Sequence, residues 1–241
     1  TGFGEETFYA CEALESFTIP EGMTEIPSAA FANCTSLKEI TIPKELPINA
    51  LEYSKWQGGW GATFKDSYIE TFILEDGIEY VPNVLTIGDE HFKEIVIPDS
   101  VTEIGESAFF ICSNLESITL PKSVTTIGER AFSSCLSLQS VSIDGVQTIG
   151  TEAFQNCESL QSIVWSNVTT IEKGAFDGCG FTSLTFPATL TTIGEGAFVG
   201  CNSLQAVTFS GNCAIEETAF AGVGGDPYVL LTLPDDWTGL I

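Results

Sequence analysis

The chain has 241 residues, of which 44 % are hydrophobic and 11 % aromatic, so it contains enough apolar side chains for a folded core. Asp and Glu number 33 against 8 Lys and Arg, which gives a formal net charge of -25 and makes nucleic acid and anionic membrane surfaces poor partners. No apolar run approaches the roughly 18 residues that span a bilayer, so no membrane insertion is expected within this segment.

Ten short strands are predicted along the chain at a nearly constant spacing. Each alternates apolar and polar residues and is rich in Ile, Thr and Val, as in LESITLP at 115–121, which is the pattern of a half-buried strand. The last apolar residues of the ten strands lie 21 to 24 residues apart, except for 32 residues between the second and third. These marker residues are Ile19, Ile42, Leu74, Ile97, Leu120, Ile143, Trp165, Phe186, Phe209 and Leu233.

Between the strands the chain repeats one template, V-x-x-I-G-x-x-A-F-x-x-C-x-S-L-x-x-I-x-I-P, seen most clearly from Val101, Val124, Val146 and Leu190. The VTTI segment is predicted as a second, shorter extended stretch and GERAFSSC as a turn of helix. A unit this small cannot bury its own apolar face, so the units are expected to stack and form a continuous inner ladder of Phe side chains. The ladder comprises Phe109, Phe132, Phe154, Phe176, Phe198 and Phe220.

These motifs closely resemble the BspA-like class of bacterial leucine-rich repeats, whose units read much like LESITLPKSVTTIGERAFSSC at 115–135. The resemblance is weakest from 44 to 92. It implies a repeat solenoid, a leucine-rich-repeat horseshoe or superhelical ribbon with a parallel β-sheet on one face and short extended or helical turns on the other. Residues 1–241 are interpreted as a single leucine-rich-repeat domain of about ten 22–23-residue units, with an irregular insert near 54–67 and truncated or capping units at both ends.

Seven of the eight cysteines occupy one repeat position, three residues after the template Phe. Equivalent side chains in stacked units point the same way, so a ladder of buried, reduced thiols is predicted rather than a disulfide framework. Cys213 takes the template Val position and is predicted to fill the core. Since the cysteine spacing lacks a paired C-x-x-C, no metal site is expected.

No catalytic residue is predicted. The single histidine, His91, lies in IGDEHFKEIVIP without an evident nucleophile or orienting partner, and is interpreted as a surface polar residue. The glycines form neither a dinucleotide-binding nor a phosphate-binding motif, so no cofactor is expected. The family resemblance likewise implies no catalytic residues.

Hydroxyl side chains dominate the strand positions that are predicted to face solvent, because successive side chains of a strand point to opposite faces. Two interpretations remain open: a hydroxyl-lined binding surface for a protein or glycan, or residues chosen only for their strand propensity. The candidate binding residues, named here the Ser/Thr strip, are Ser117, Thr119, Ser140, Ser142 and Ser162.

The insert contains SKWQGGWGATFKDS at 54–67, with two of the four tryptophans. Insertions in repeat proteins map to loops on one face, often the binding face, and aromatic side chains on such a loop suit recognition. The other interpretation is that these rings plug a defect in the Phe and Cys ladders. The candidate binding residues of the insert are Tyr53, Trp56, Trp60 and Phe64.

The predicted function is a non-enzymatic adhesion or binding module of a bacterial cell-surface or secreted protein, monomeric, with an extracellular protein or glycan as ligand. This localisation follows from the family resemblance. The first residues, TGFGEETF, contain no basic signal-peptide region, so any export signal is expected outside this segment. The alternative function is a passive stalk or spacer in a larger surface protein.

Overall fold

The computed structural model describes residues 2–23, 26–27, 29–44, 46, 67–81, 91–223 and 230–238. These residues form a parallel β-solenoid, which confirms the predicted fold class. Each predicted marker residue ends or directly follows a strand of what we call the front sheet. The front strands are β1 (Ser16–Thr18), β2 (Glu39–Ile42), β3 (Thr71–Leu74), β5 (Glu94–Val96), β7 (Ser117–Thr119), β9 (Ser140–Ser142), β11 (Ser162–Val164), β13 (Ser183–Phe186), β15 (Ala206–Phe209) and β17 (Leu230–Thr232).

The VTTI-type segments form a second sheet, the back sheet, of seven two-residue strands in one unbroken parallel order. The template Gly allows the coils to approach closely here, because a Cβ on Gly150 would lie 2.8 Å from backbone of the preceding coil at Gly128. Threonine hydroxyls add bonds between coils, as when Thr191 Oγ1 donates to the carbonyl of Thr169 at 2.8 Å. The strands are β4 (Tyr80–Val81), β6 (Glu103–Ile104), β8 (Thr126–Ile127), β10 (Thr148–Ile149), β12 (Thr170–Ile171), β14 (Thr192–Ile193) and β16 (Ala214–Ile215).

The predicted Phe ladder is confirmed and lies between the two sheets. Ring centroids of successive members are 4.9 Å apart for Phe109 and Phe132, 5.0 Å for Phe132 and Phe154, and 5.2 Å for Phe154 and Phe176, with nearly parallel planes. Stacked aromatic rings at these distances add to the free energy of burial. Each ring therefore contributes to the contact between two units rather than to one unit alone.

The predicted ladder of stacked thiols is present: none of the eight cysteines is in a disulfide, and six of the seven ladder members are buried, while Cys11 is half-buried. The ladder thiols have a bonding role that the repeat pattern did not reveal. Five of the seven, Cys34, Cys135, Cys157, Cys179 and Cys201, donate to the carbonyl of the template Phe in the preceding unit, for example from Cys135 Sγ to Phe109 O and from Cys157 Sγ to Phe132 O, both at 3.1 Å. The same carbonyls also accept a backbone amide, as when Cys112 N–H donates to Phe109 O at 3.2 Å, so the thiol of the next unit supplies a second donor and links the two units.

The segments around A-F form consecutive turns, whereas a turn of helix was predicted. Arg130 and Ser134 have φ values of 53° and 63°, and such left-handed residues interrupt a helical path. The equivalent positions in a later unit are Gly174 and Gly178, also with positive φ. Two left-handed residues per unit turn the chain from the back sheet towards the front sheet within a few residues.

The front sheet, unlike the back sheet, is broken into three pieces. They contain β1-β2-β3-β5, β7-β9-β11 and β13-β15-β17. The two breaks thus lie between β5 and β7 and between β11 and β13. Because the back sheet runs past both, the units remain stacked while two pairs of neighbouring front strands are unpaired.

Candidate functional site

The Ser/Thr strip lies in register on the outer face of the β7-β9-β11 piece. Ser117 pairs with Ser140 and Ser140 with Ser162, while Thr119 pairs with Ser142. Their side chains are exposed or half-buried, so the predicted orientation is confirmed. Within the described residues none of these five hydroxyls has a hydrogen-bonding partner in the protein. Three adjacent strands therefore present unsatisfied hydroxyls at the spacing of the sheet, about 4.8 Å between strands.

Two exposed apolar side chains lie at outward strand positions next to the strip. Val164 occupies the outward position of β11 and is 52 % exposed, and Val96 occupies that of β5 and is 46 % exposed. The described face thus combines hydroxyls with isolated aliphatic side chains and is suited to contacts with both polar and apolar groups.

The other predicted binding residues, Tyr53, Trp56, Trp60 and Phe64, lie outside the described residues. Neither the binding nor the plug interpretation of the insert is tested.

One break in the front sheet opens a cleft beside the strip. In paired units, the carbonyl before a strand accepts an amide of the next unit, as when Gln139 N–H donates to Glu116 O at 2.8 Å. Lys93 is the equivalent residue before β5, and its carbonyl accepts no such bond from Glu116. No backbone hydrogen bond joins β5 to β7, both of which lie fully within the described residues.

The facing edges of β5 and β7 carry free backbone groups. Leu120 N–H donates to Ser142 O at 2.9 Å, so this residue points to β9. Alternate residues of a parallel strand bond to opposite sides, and the N–H and C=O groups of Ser117 and Thr119 therefore point to β5. By the same alternation those of Ile95 point to β7. Both strands therefore present unpaired backbone N–H and C=O groups to the space between them.

This space, named here the front cleft, has a volume of about 740 Å³, within the usual range of ligand sites of about 300–1,000 Å³. The back sheet stays paired in the same units, with Tyr80 opposite Glu103 and Val81 opposite Ile104. The lining residues come from both edges and from one loop residue of the following unit: Lys93, Glu94, Ile95, Val96, Ile97, Asn114, Glu116, Ser117, Ile118, Thr119 and Ser137.

The charge at the mouth of the front cleft is negative. Glu94 and Glu116 are exposed, whereas the one lining cation, Lys93, is bound to Glu70 at 2.9 Å. Lys38 also binds Glu70 at 2.9 Å, and hydrogen bonds from Lys38 and Lys93 lower the pKa of Glu70 to about 2. The carboxylates of Glu94 and Glu116 therefore have no available cation among the residues that line the front cleft, because Lys93 is already bound to Glu70.

The second break is filled. Trp165 follows β11, stacks on Phe186 at 5.4 Å and meets Phe176 edge-on at 5.8 Å. Its indole Nε1–H donates to the carbonyl of Thr185 in β13 at 2.9 Å. One side chain thus replaces a missing ladder bond between β11 and β13. Trp165 was predicted to belong to the core, and it is half-buried against it.

A Phe in an unusual position accompanies each break. The strand position held by Leu115 and Leu160 in neighbouring units is taken by Phe92 before β5 and by Phe181 before β13, and both rings are fully buried. Phe92 lies 6.2 Å from Phe109 and Phe181 lies 5.6 Å from Phe176. Each ring lies in a unit that borders a break, although β5 still pairs with β3 and β13 with β15, and this substitution was the sequence signal that could have located the breaks.

Among the described residues, no group of three or more His, Cys, Asp or Glu side chains can hold a metal ion. His91 is half-buried, with its ring 4.4 Å from Tyr68. Burial raises the pKa of Cys201 to about 12 and of Cys213 to about 11, which keeps these thiols protonated and unreactive at neutral pH.

The described part of the chain also contains no helix of the length and apolarity that crossing a membrane requires.

Comparisons with known proteins identify the repeat. A family model described as a BspA type leucine rich repeat region matches in six copies, at residues 1–56, 62–205 and 138–225. The sequence matches no curated protein.

Several solved bacterial structures are similar to this chain. A leucine-rich repeat protein from Eubacterium ventriosum is 25 % identical, with a TM-score of 0.57 and coverage of 94 % of this chain and 69 % of that chain. One from Bacteroides ovatus is 21 % identical, with a TM-score of 0.51 and coverage of 99 % and 66 %. A leucine rich cell surface protein from Faecalibacterium prausnitzii is 25 % identical, with a TM-score of 0.38 and coverage of 97 % and 83 %.

Proposed function

We propose that this chain, which belongs to the BspA-type leucine-rich repeat family, is a non-enzymatic binding module of a bacterial cell-surface or secreted protein. Its ligand is an extracellular protein or glycan, bound on the front face by a monomer. The observation that carries the proposal is the Ser/Thr strip, whose hydroxyls lie in register and lack partners within the described protein.

The strip supports binding for a physical reason. Hydroxyls that already bond to the protein gain little from a ligand, whereas free hydroxyls on a rigid sheet can donate and accept without reorganisation. The formal charge of -25 favours cationic or neutral ligands over polyanions. The insert residues Trp56 and Trp60 remain a second candidate contact, proposed from the sequence alone.

The test is binding of the purified chain to immobilised extracellular-matrix proteins and polysaccharides. We expect the double variant S140A/S142A to lose binding at least about tenfold, because it removes two central hydroxyls and leaves the fold intact. The matched control is S183A/T185A, which removes the same template hydroxyls from β13, beyond the second break. A W56A/W60A variant measures the contribution of the insert.

Equal binding by S140A/S142A and the native chain would contradict a role for the strip. A structural spacer is the second candidate, favoured by the back sheet, which runs unbroken through seven strands and past both front breaks. If the folded chain binds none of the proteins or polysaccharides, the spacer is the better account.

A further inference from the structure

We propose that the front cleft accepts an extended basic polypeptide segment, which adds a strand along the free edge of β7. The inference rests on the proposed binding function and names the class of partner for the same face. Three independent features of the described residues support it: free backbone groups, incompletely covered apolar side chains and an acidic mouth.

The backbone edge is the first feature. In the other described front strands that follow a paired unit, the amide of the first strand residue or of the residue before it is bonded to the preceding unit, as in Glu94 N–H to Glu70 O at 3.0 Å and Gln139 N–H to Glu116 O at 2.8 Å. In β7 neither Glu116 N–H nor Ser117 N–H makes such a bond. An extended peptide can pair with exposed strand edges through its main chain, and this mode gives affinity for peptides of varied sequence.

The apolar side chains are the second feature. In β9 and just after it the inward residues Val141 and Ile143 are 2 % and 0 % exposed. The equivalent residues at β5, Ile95 and Ile97, are only half-buried, because no strand covers them from the β7 side. An inserted strand with an apolar side chain facing inward would complete their burial and gain the free energy of removing that surface from water.

Charge is the third feature, and it selects among possible occupants. Glu94 and Glu116 flank the mouth, and Lys93 is engaged by Glu70. A lysine or arginine beside the inserted strand would meet these carboxylates. A second copy of this chain, with its formal charge of -25, would be repelled. A glycan could bond to the hydroxyls and carboxylates, but it would leave the backbone edge of β7 without a paired strand and the side chains of Ile95 and Ile97 exposed.

The experiment measures fluorescence anisotropy of a labelled synthetic peptide that alternates valine and threonine and has lysine at both ends. Two further peptides are its controls. One carries N-methyl groups on alternate amides, which removes hydrogen-bond donors from one edge, and the other has glutamate at both ends. We expect saturable binding of the lysine peptide and at least about tenfold weaker binding of each control, or ~1.4 kcal/mol.

The matched protein variants are S117P and S183P. In both variants, proline removes a backbone N–H that faces a break in the front sheet. Ser117 faces the open break between β5 and β7, whereas Ser183 faces the break that Trp165 fills. We expect S117P to weaken binding of the lysine peptide at least about tenfold and S183P to leave it within about twofold. The variant I97W, which places an indole beside the cleft, should weaken binding without altering any backbone donor, so the test does not depend on one variant folding.

Equal affinity for the N-methylated or the glutamate peptide, no effect of either S117P or I97W, or no peptide binding at all would overturn the inference. So would dimerisation of the chain through the cleft in sedimentation velocity, or protection of the cleft by polysaccharide alone. If the chain binds a protein or polysaccharide on the array but not the peptide, only this inference is wrong. If the chain binds the peptide but no protein or polysaccharide on the array, only the proposed function is wrong.

Discussion

The two breaks in the front sheet differ in what occupies them. Between β11 and β13, Trp165 stacks on Phe186 and donates to Thr185 O. Between β5 and β7, the same marker position is held by Ile97, which has no polar group to donate, and a cleft of about 740 Å³ remains. A break in a repeat ladder is therefore a packed defect or an open site, depending on one side chain.

Removing the Trp165 side chain should destabilise the chain most strongly, because it opens the filled break. W165A removes a half-buried indole that contacts two core rings and replaces a ladder bond. We expect it to lower the free energy of unfolding by about 2–3 kcal/mol, below the full cost of deleting a buried aromatic, as measured by urea denaturation followed by circular dichroism.

The control for W165A is V164A, since Val164 is the preceding residue and 52 % exposed. Its effect should stay within about 0.5 kcal/mol. Equal destabilisation by the two variants would mean that Trp165 does not hold the break together.

Proline substitutions at Thr119 and Ser142 compare the stability cost at an unpaired strand edge with the cost at a paired one. Thr119 and Ser142 are register partners, but the amide of Ser142 points to β7 and that of Thr119 points to the front cleft. S142P removes a ladder bond and leaves a buried acceptor unpaired, at a cost of about 1–3 kcal/mol. T119P removes no bond, and proline is tolerated at a free edge.

We therefore expect T119P to unfold in urea within about 0.5 kcal/mol of the native chain. If T119P were as destabilising as S142P, β5 and β7 would be paired in solution and the front cleft would not exist.

Much of this architecture could be predicted from the sequence. The marker residues, the Phe ladder, the reduced thiols and the outward Ser/Thr strip all follow from a template in which each position has one environment. The breaks could not be predicted in this way, because ladder pairing depends on the separation of two backbones. The residues that mark the breaks, Phe92 and Phe181, still read as apolar and inward in the template, so the pattern does not distinguish them from the usual Leu.

The role of Trp165 was missed for a similar reason. An indole and an isoleucine are equivalent in an apolar pattern, but only the indole carries a donor that reaches Thr185 O. The thiol bonds to the carbonyls of the preceding unit were likewise invisible to a pattern that treats Cys as a small apolar residue.

A tryptophan at the open break tests whether one residue accounts for the difference between the two breaks. I97W places an indole where Trp165 stands in its own unit, with Thr119 O in the position of Thr185 O. We expect a gain of about 1 kcal/mol in the free energy of unfolding from added burial and one hydrogen bond. Urea denaturation of I97W beside the size-matched apolar variant I97F isolates the part due to the indole donor. A loss of stability in I97W would show that the two breaks differ in more than this residue.

The ion pairs of Glu70 beside the front cleft should contribute only weakly to the stability of the chain. Hydrogen bonds from Lys38 and Lys93 lower the pKa of Glu70 from its ordinary value of 4.5 to about 2. Their stabilisation is therefore complete above the unfolded-state pKa and is lost as the pH falls towards about 2. The difference in Tm between the native chain and E70Q should shrink over this acidic range. A difference that grows on acidification would contradict the assignment.

Residue-resolved amide hydrogen exchange of the free chain by NMR would show directly whether β7 has an open edge. We expect rapid exchange at Ser117 and Thr119, whose amides face the front cleft, and slow exchange at Leu120, whose amide donates to Ser142 O at 2.9 Å. Ser142, in the fully paired β9, should also exchange slowly. Uniform protection along β7 would mean that β5 and β7 form a continuous sheet with no edge for a ligand.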